Sequence, residues 1–312
     1  MSRLVLFLLI FLFLDIFLFI LKQSPSAPPL LVPLNYLPAP SPTPTPAPTP
    51  VAVVGLVGDL GLGRYITATA RAKQDFSWSF KEVKIWLSGN DFTLANLESP
   101  IINDCPPGLT GTFTFCGDKN FLPYLKANKF VFNLNNNHIL NYRLDGLSQT
   151  QQYLSGEKID YFYDNFVIKD INGIKFGFLG FDFVTYSQLD TSEILKKVKT
   201  YDSQVDWLIV SIHWGNEYLP APETWRVNFA HQLVEAGADI IHGHHPHVWQ
   251  GIEDYHGKKI YYSFGNFIFD QNWSKETSNS QIVRLTFSRD KIMNQEIFPI
   301  KIQFNSQPVL MP

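Results

Sequence analysis

The chain has 312 residues, with 25 Lys and Arg against 28 Asp and Glu for a net charge of −3, and that length allows a large core in one or two domains. Charged residues make up 17 % of the chain and form no clustered basic excess, which removes a nucleic-acid groove from consideration.

The first predicted element is Leu4 to Leu21, in which every position is Leu, Ile, Val or Phe except Asp15. On an insertion scale its apolar positions contribute roughly −5 to −10 kcal/mol, against about +2.5 to +3.5 for a central Asp. Insertion wins, and the run is just long enough to span a bilayer. A cleaved signal peptide is the competing reading, but the segment "SPSAPP" that follows Lys22 is laced with proline and makes a poor cleavage site. Arg3 on the short side keeps the N-terminus in the cytoplasm. The expectation is a single-pass anchor over residues 1–22 in the cell membrane, with the remainder extracytoplasmic. Residues 23–50 include "PAPSPTPTPAPTP", a spacer that is either semi-rigid polyproline II, at about 3.1 Å per residue, or simply disordered. A folded domain is expected over 51–312.

In that domain "VAVVGLVGD" reads as a buried strand ending in Asp59, which serves either as a metal ligand or as a cap for the next turn. The following "GDLGLGR" lacks the Gly-Lys-Ser/Thr ending of a phosphate loop. A helical pattern covers Trp78 to Ser88. The strand "FTLANLE" comes next, with Asn96 and Glu98 on one face of an extended chain. Cys105 and Cys116, the only cysteines, flank a turn-rich segment. They form either a disulfide, which suits an extracytoplasmic domain, or two buried thiols.

"FVFNLNNN" reads as a third strand, running into Asn136, Asn137 and His138. Three asparagines in a row suit turn-making, or a neutral amide-oxygen ligand with an acid/base histidine beside it. Helical patterns cover Leu144 to Ser155, Ser192 to Tyr201 and Pro222 to Ala236. Asn172-Gly173 signals a hairpin, and His256-Gly257 a weaker one. "WLIVSIHW" ends in His213, with Glu217 placed to orient an imidazole. "ADIIHGHH" leads into His242, His244, His245 and His247, half of the chain's eight histidines within six residues. In extended geometry, the rings of His245 and His247 on either side of Pro246 would face one way.

Alternating strands and helices argue an α/β sandwich with mixed sheets. The five strands all end in polar residues, as ligand sites in α/β folds do. Imidazole, carboxylate and amide oxygen together suit Zn²⁺, Mn²⁺ or Fe.

The motifs "GDLGLGR", "ANLESPI", "NNNHILNYRLDGLSQT", "SIHWGNEY" and "AGADIIHGHHPHVWQGIEDYHGKKIYYSFGNFIFD", in this order from about Val53 to Asp270, resemble the CapA capsule synthesis (poly-γ-glutamate synthesis accessory) family, which is similar to the calcineurin-like metallophosphoesterases. The resemblance implies a four-layer α/β/β/α sandwich and a divalent-metal site of up to two ions. It implies Asp59, Glu98, Asn137, His213, His245 and His247 as metal ligands and His138 as general acid. Two departures stand out: Asp-x-His begins here as Asp59, Leu60, Gly61, losing one histidine, and Glu98 replaces a Gly-Asp-x-x-Asp motif. His244 is then a substitute ligand or a supporting group. The implied function is a metal-dependent hydrolase or transferase acting on a phosphoester or an amide of a cell-surface polymer. The rival is a non-catalytic assembly or export factor whose degenerate metal cleft holds polymer carboxylates. The implied partners are the membrane, an anionic polymer or its precursor, and other capsule-synthesis membrane proteins.

Overall fold

The computed structural model describes residues 50–106, 112–186, 188–304 and 306–312. The expected anchor at 1–22 and nearly all of the linker lie outside the described residues. Among those described, no helix is long and apolar enough to cross a membrane.

The strands are β1 (Ala52–Leu60), β2 (Phe92–Leu97), β3 (Ile101–Ile102), β4 (Gly117–Asp118), β5 (Phe130–Asn133), β6 (Asp160–Phe162), β7 (Val167–Ile171) and β8 (Ile174–Asp182). They continue as β9 (Trp207–His213), β10 (Ile240–His244), β11 (Ile252–Tyr255), β12 (Lys258–Tyr261), β13 (Asn266–Ile268), β14 (Asn279–Phe287), β15 (Ile292–Gln303) and β16 (Gln307–Leu310). One sheet has the order β16-β15-β14-β1-β2-β5-β6, with β13 pairing β1, and the other β11-β12-β10-β9-β8-β7. Both are mixed. β1, β2, β5 and β6 run parallel, as do β8, β9 and β10, while β14, β15 and β16 are antiparallel additions at one edge.

Three apolar cores define the layering. Period-two alternation in the strands sends Val54, Leu56, Phe92, Leu94 and Leu285 of the first sheet against Phe176, Phe178, Ile209 and Ile240 of the second. The opposite face of the first sheet, with Val57, Ala95 and Phe132, packs on Ile66, Ala70, Leu147 and Leu154 of its helices. The outer face of the second sheet, with Leu208, Val210 and Ile241, packs on Ile194, Val198, Phe229 and Leu233. Helices therefore cover both outer faces, and two sheets meet face to face in the middle.

Both expected hairpins form. Asn172 and Gly173, at φ 55° and 81°, turn β7 into β8, and His256 and Gly257, at φ 51° and 76°, turn β11 into β12. Three expectations need correction. The helix expected from Trp78 to Ser88 is a 3₁₀ turn, Trp78–Val83, followed by a short helix, Lys84–Ser88. The strand expected through Asn137 stops at Asn133, because asparagine side chains bond the backbone locally: Asn133 Oδ1 accepts from Asn135 N, and Asn136 Oδ1 from His138 N and Ile139 N. His245 and His247 are not extended but left-handed, at φ 94° and 56°. Such strain in non-glycine residues gathers at functional sites.

The disulfide forms between Cys105 and Cys116. The second of these sits beside Phe115, whose ring stacks on His138 at 4.1 Å.

Candidate metal centre

The parallel strands of both sheets end at the same edge of the domain, and there the sheets are bonded to each other. His242 Nε2 donates to Val57 O at 2.9 Å, and His244 Nδ1 lies 3.1 Å from Asp59 Oδ1. Seven residues expected from sequence (Asp59, Glu98, Asn137, His138, His213, His245 and His247) converge here. Asp59, Glu98 and His213 have no exposed surface.

Glu98 lies at the middle. Its Oε1 is 3.6 Å from His247 Nε2, 3.8 Å from His138 Nε2 and 3.9 Å from His213 Nε2, and it has no hydrogen-bond partner. Burial, and then the neighbouring Asp59 carboxylate, raise the pKa of Glu98 well above the ordinary carboxylate range. Asp59 shows the opposite balance. Burial alone would raise it, but hydrogen bonds and charge from His244 and His247 hold it well below that range. Two adjacent carboxylates have thus been pushed apart, and a cation between them would stabilise both as anions.

Three of the imidazoles, those of His138, His213 and His245, are held neutral by burial. Burial, the largest cause, brings His138 down to about 4 and His245 to about 3, and takes His213 well below its ordinary value. Hydrogen bonds then fix the tautomers. Asn141 Oδ1 accepts from Phe115 N at 2.7 Å, so it also accepts from His138 Nδ1 at 3.1 Å. His138 Nε2 is left with its lone pair facing Glu98. Likewise Asn266 donates through Nδ2 to Thr277 O, and its Oδ1 accepts from His247 Nδ1 at 2.9 Å. Asn266 stands beside Asp59 because β13 pairs with β1 there.

His213 Nε2 donates to Asn137 Oδ1 at 2.8 Å, a proton that a bound cation would replace. Neighbouring ligands of one octahedral ion at about 2.1 Å lie about 3 Å from each other, so this pair is already at ligand spacing. His244 is not placed as a ligand. Nδ1 faces Asp59 and Nε2 is 2.9 Å from His242 Nδ1, so both nitrogens are occupied in holding Asp59 in place.

Candidate ligand atoms of Asp59, Glu98 and His247 lie within 4.8 Å of one another, as do those of Glu217, His245 and His247. Buried oxygens and nitrogens without partners, Glu98 Oε1 and His245 Nδ1, fit a divalent cation, and the oxygen–imidazole donor set suits Zn²⁺, Mn²⁺ or Fe.

Sequence reasoning assigned no role to Asn266 and Asn141, and read Asn96 only as one of a pair with Glu98 aimed at an ion or at the groups around it. Asn266 and Asn141 orient the histidines, and Asn96 Nδ2 contacts Asp59 Oδ1, Glu98 Oε2 and His213 Nδ1 at 2.9, 3.2 and 3.3 Å. Of these, only Asn96 had a local signal, its same-face spacing with Glu98. Arg64, in the loop after β1, is paired with Asp270, 206 residues away, and lies over the Phe115 ring.

The fold and this edge define a two-sheet α/β domain with a buried carboxylate–histidine centre suited to a divalent metal. The chain belongs to the family of the bacterial capsule synthesis protein PGA_cap, whose model matches residues 53–271. It is 30 % identical over 284 residues to the capsule biosynthesis protein CapA of Bacillus anthracis, covering 80 % of this chain and 67 % of that one. To the PGA biosynthesis protein CapA of Bacillus subtilis it is 29 % identical over 275 residues, covering 81 % and 72 %. Among solved structures, a hypothetical protein from Thermus thermophilus shares the fold with a TM-score of 0.51 at 13 % identity, over 80 % of this chain and all of that one.

Proposed function

We propose that this protein is a membrane-anchored, extracytoplasmic, metal-dependent hydrolase of the metallophosphoesterase type that acts in capsule or poly-γ-glutamate biosynthesis. The observation that carries the reading is Glu98 Oε1, fully buried, unpartnered and ringed by the nitrogens of His138, His213 and His247. Asp59, Glu98, His245 and His247 would hold one cation, and Glu98, Asn137 and His213 a second. Bound there, such ions supply Lewis-acid activation of water and of substrate oxygens.

The chain's own residues do the rest. Asn96, His244 and Asn266 orient the ligands. His138, lowered to about 4, presents a bare Nε2 to the cleft, so its acid role begins only once the negative charge of a bound substrate favours its taking up a proton from solvent. Asp59, Glu98, Glu217 and Asp182 give the cleft excess negative charge, and Arg64 is neutralised by Asp270. A phosphoester or polycarboxylate therefore depends on the cations for attraction. The leading residues would tether this domain to the cell membrane, where an anionic polymer or its precursor and other capsule-synthesis membrane proteins are its partners.

One observation favours the rival reading of a non-catalytic assembly or export factor. A side chain at Gly61 would meet the Phe269 ring at 2.7 Å, so the space for the lost histidine is filled. Bis(p-nitrophenyl) phosphate, tested with Mn²⁺, Zn²⁺ or Fe²⁺, separates the two. Hydrolysis that falls by about 10²-fold or more in His138→Gln supports the enzyme. Absence of turnover, together with normal capsule formation in cells carrying His138→Gln, supports the assembly factor.

A further inference from the structure

The loop after β9 carries a carboxylate that the metal reading above does not use. Gly215, at φ 86°, bends the chain away from Arg226, whose guanidinium a side chain there would strike at 2.0 Å. Tyr218, also left-handed at φ 63°, then donates its backbone N–H to Pro246 O at 2.9 Å. That bond staples the segment holding Glu217 onto the segment holding His245 and His247. A candidate oxygen of half-buried Glu217 consequently lies within 4.8 Å of candidate nitrogens of both histidines.

We propose that Glu217 is a metal ligand, adding a carboxylate from the half-exposed side to the cation held by His247 and His245.

This rests on the metal reading of the cleft and deepens it. Two further observations point to a cation there. His245 is 6 % exposed and its Nδ1 has no hydrogen-bond partner. Among the described residues no Lys, Arg or His lies within ion-pair distance of Glu217, while Arg64 is committed to Asp270. Ligands of one tetrahedral ion at about 2.1 Å are about 3.4 Å apart, so side-chain rotations of about an ångström bring the trio to bonding distance. With the Nδ1–H of His247 directed at Asn266, Nε2 is the nitrogen left for the cation. Glu217 also answers a shortage, since Gly61 removes a histidine from the inner side and Phe269 fills its place.

Co²⁺ titration of the full-length chain in detergent, followed by visible absorbance, tests this without relying on activity. Glu217→Gln should weaken Co²⁺ binding by about 10- to 100-fold, the loss typical of removing even a group that only orients ligands, and should change the absorbance of the bound ion. Glu217→Asp should recover part of the affinity, and circular dichroism should show both variants folded. Wild-type affinity and spectrum in folded Glu217→Gln would overturn the role of Glu217 alone. No Co²⁺ binding by the wild-type chain would overturn the metal reading with it.

Discussion

Glu98 has no exposed surface and one unpartnered oxygen, a position in which ionisation is costly. Its raised pKa means that, without metal, its contribution to stability is fully present below the ordinary carboxylate value of 4.5 and is lost as pH rises through the folded value. Glu98→Gln should therefore raise the unfolding free energy of the metal-free protein, read from urea titration at pH 8, by about 1 kcal/mol or more, and less at pH 5. The same variant should lose most of the stabilisation that Mn²⁺ or Zn²⁺ gives the wild type. Equal stabilisation by metal in both proteins would remove Glu98 from the ligands.

Among the elements, the Cys105–Cys116 loop is tied to the chemistry. Phe115 stacks on His138, and its N–H helps hold Asn141, which fixes the His138 tautomer. Opening the disulfide by Cys105→Ser with Cys116→Ser should cost about 3 kcal/mol on the chain-entropy model, read from denaturant unfolding. On the proposed hydrolase reading it should also depress turnover more than metal affinity, because His138 loses its support while Asp59, Glu98 and His247 keep theirs. Equal loss of both would place the loop's role elsewhere. Strands and hairpins such as β1, β9 and the Asn172-Gly173 turn were legible because apolar runs and turn residues are local signals. So were the candidate ligands that the fold brings together, which sit where those runs end. Left-handed His245 and His247 were not, since their conformation comes from packing against Asp59 and Asn266. Pairs such as Arg64 with Asp270, or Asn266 with His247, depend on β13 lying along β1 and leave no trace in local pattern.

At the scale of the whole molecule, four buried imidazoles share one pH dependence. Burial, the first cause in each, lowers His138 to about 4 and His245 to about 3, and takes His213 and His242 well down. The unfolded chain protonates these groups below about 6.5, so their contribution is whole above that value and is lost as pH falls toward the folded values. By pH 5, His138 and His245 each withdraw about 2 kcal/mol, being about 1.5 units below the unfolded pKa, and His213 and His242 act in the same direction. This is a large share of a domain's stability. In metal-free Glu98→Gln, which removes the opposing contribution of Glu98, the unfolding free energy from urea titration should be about 4 kcal/mol higher at pH 7 than at pH 5, whereas equal values would mean the imidazoles are not buried neutral.

The most direct test of a metal centre is the metal content of the full-length chain after incubation with Mn²⁺, Zn²⁺ or Fe²⁺ and removal of excess. One to two ions per chain are expected, falling sharply in Asp59→Asn and in His247→Gln. A folded chain that retains no ion under any of the three conditions would contradict it.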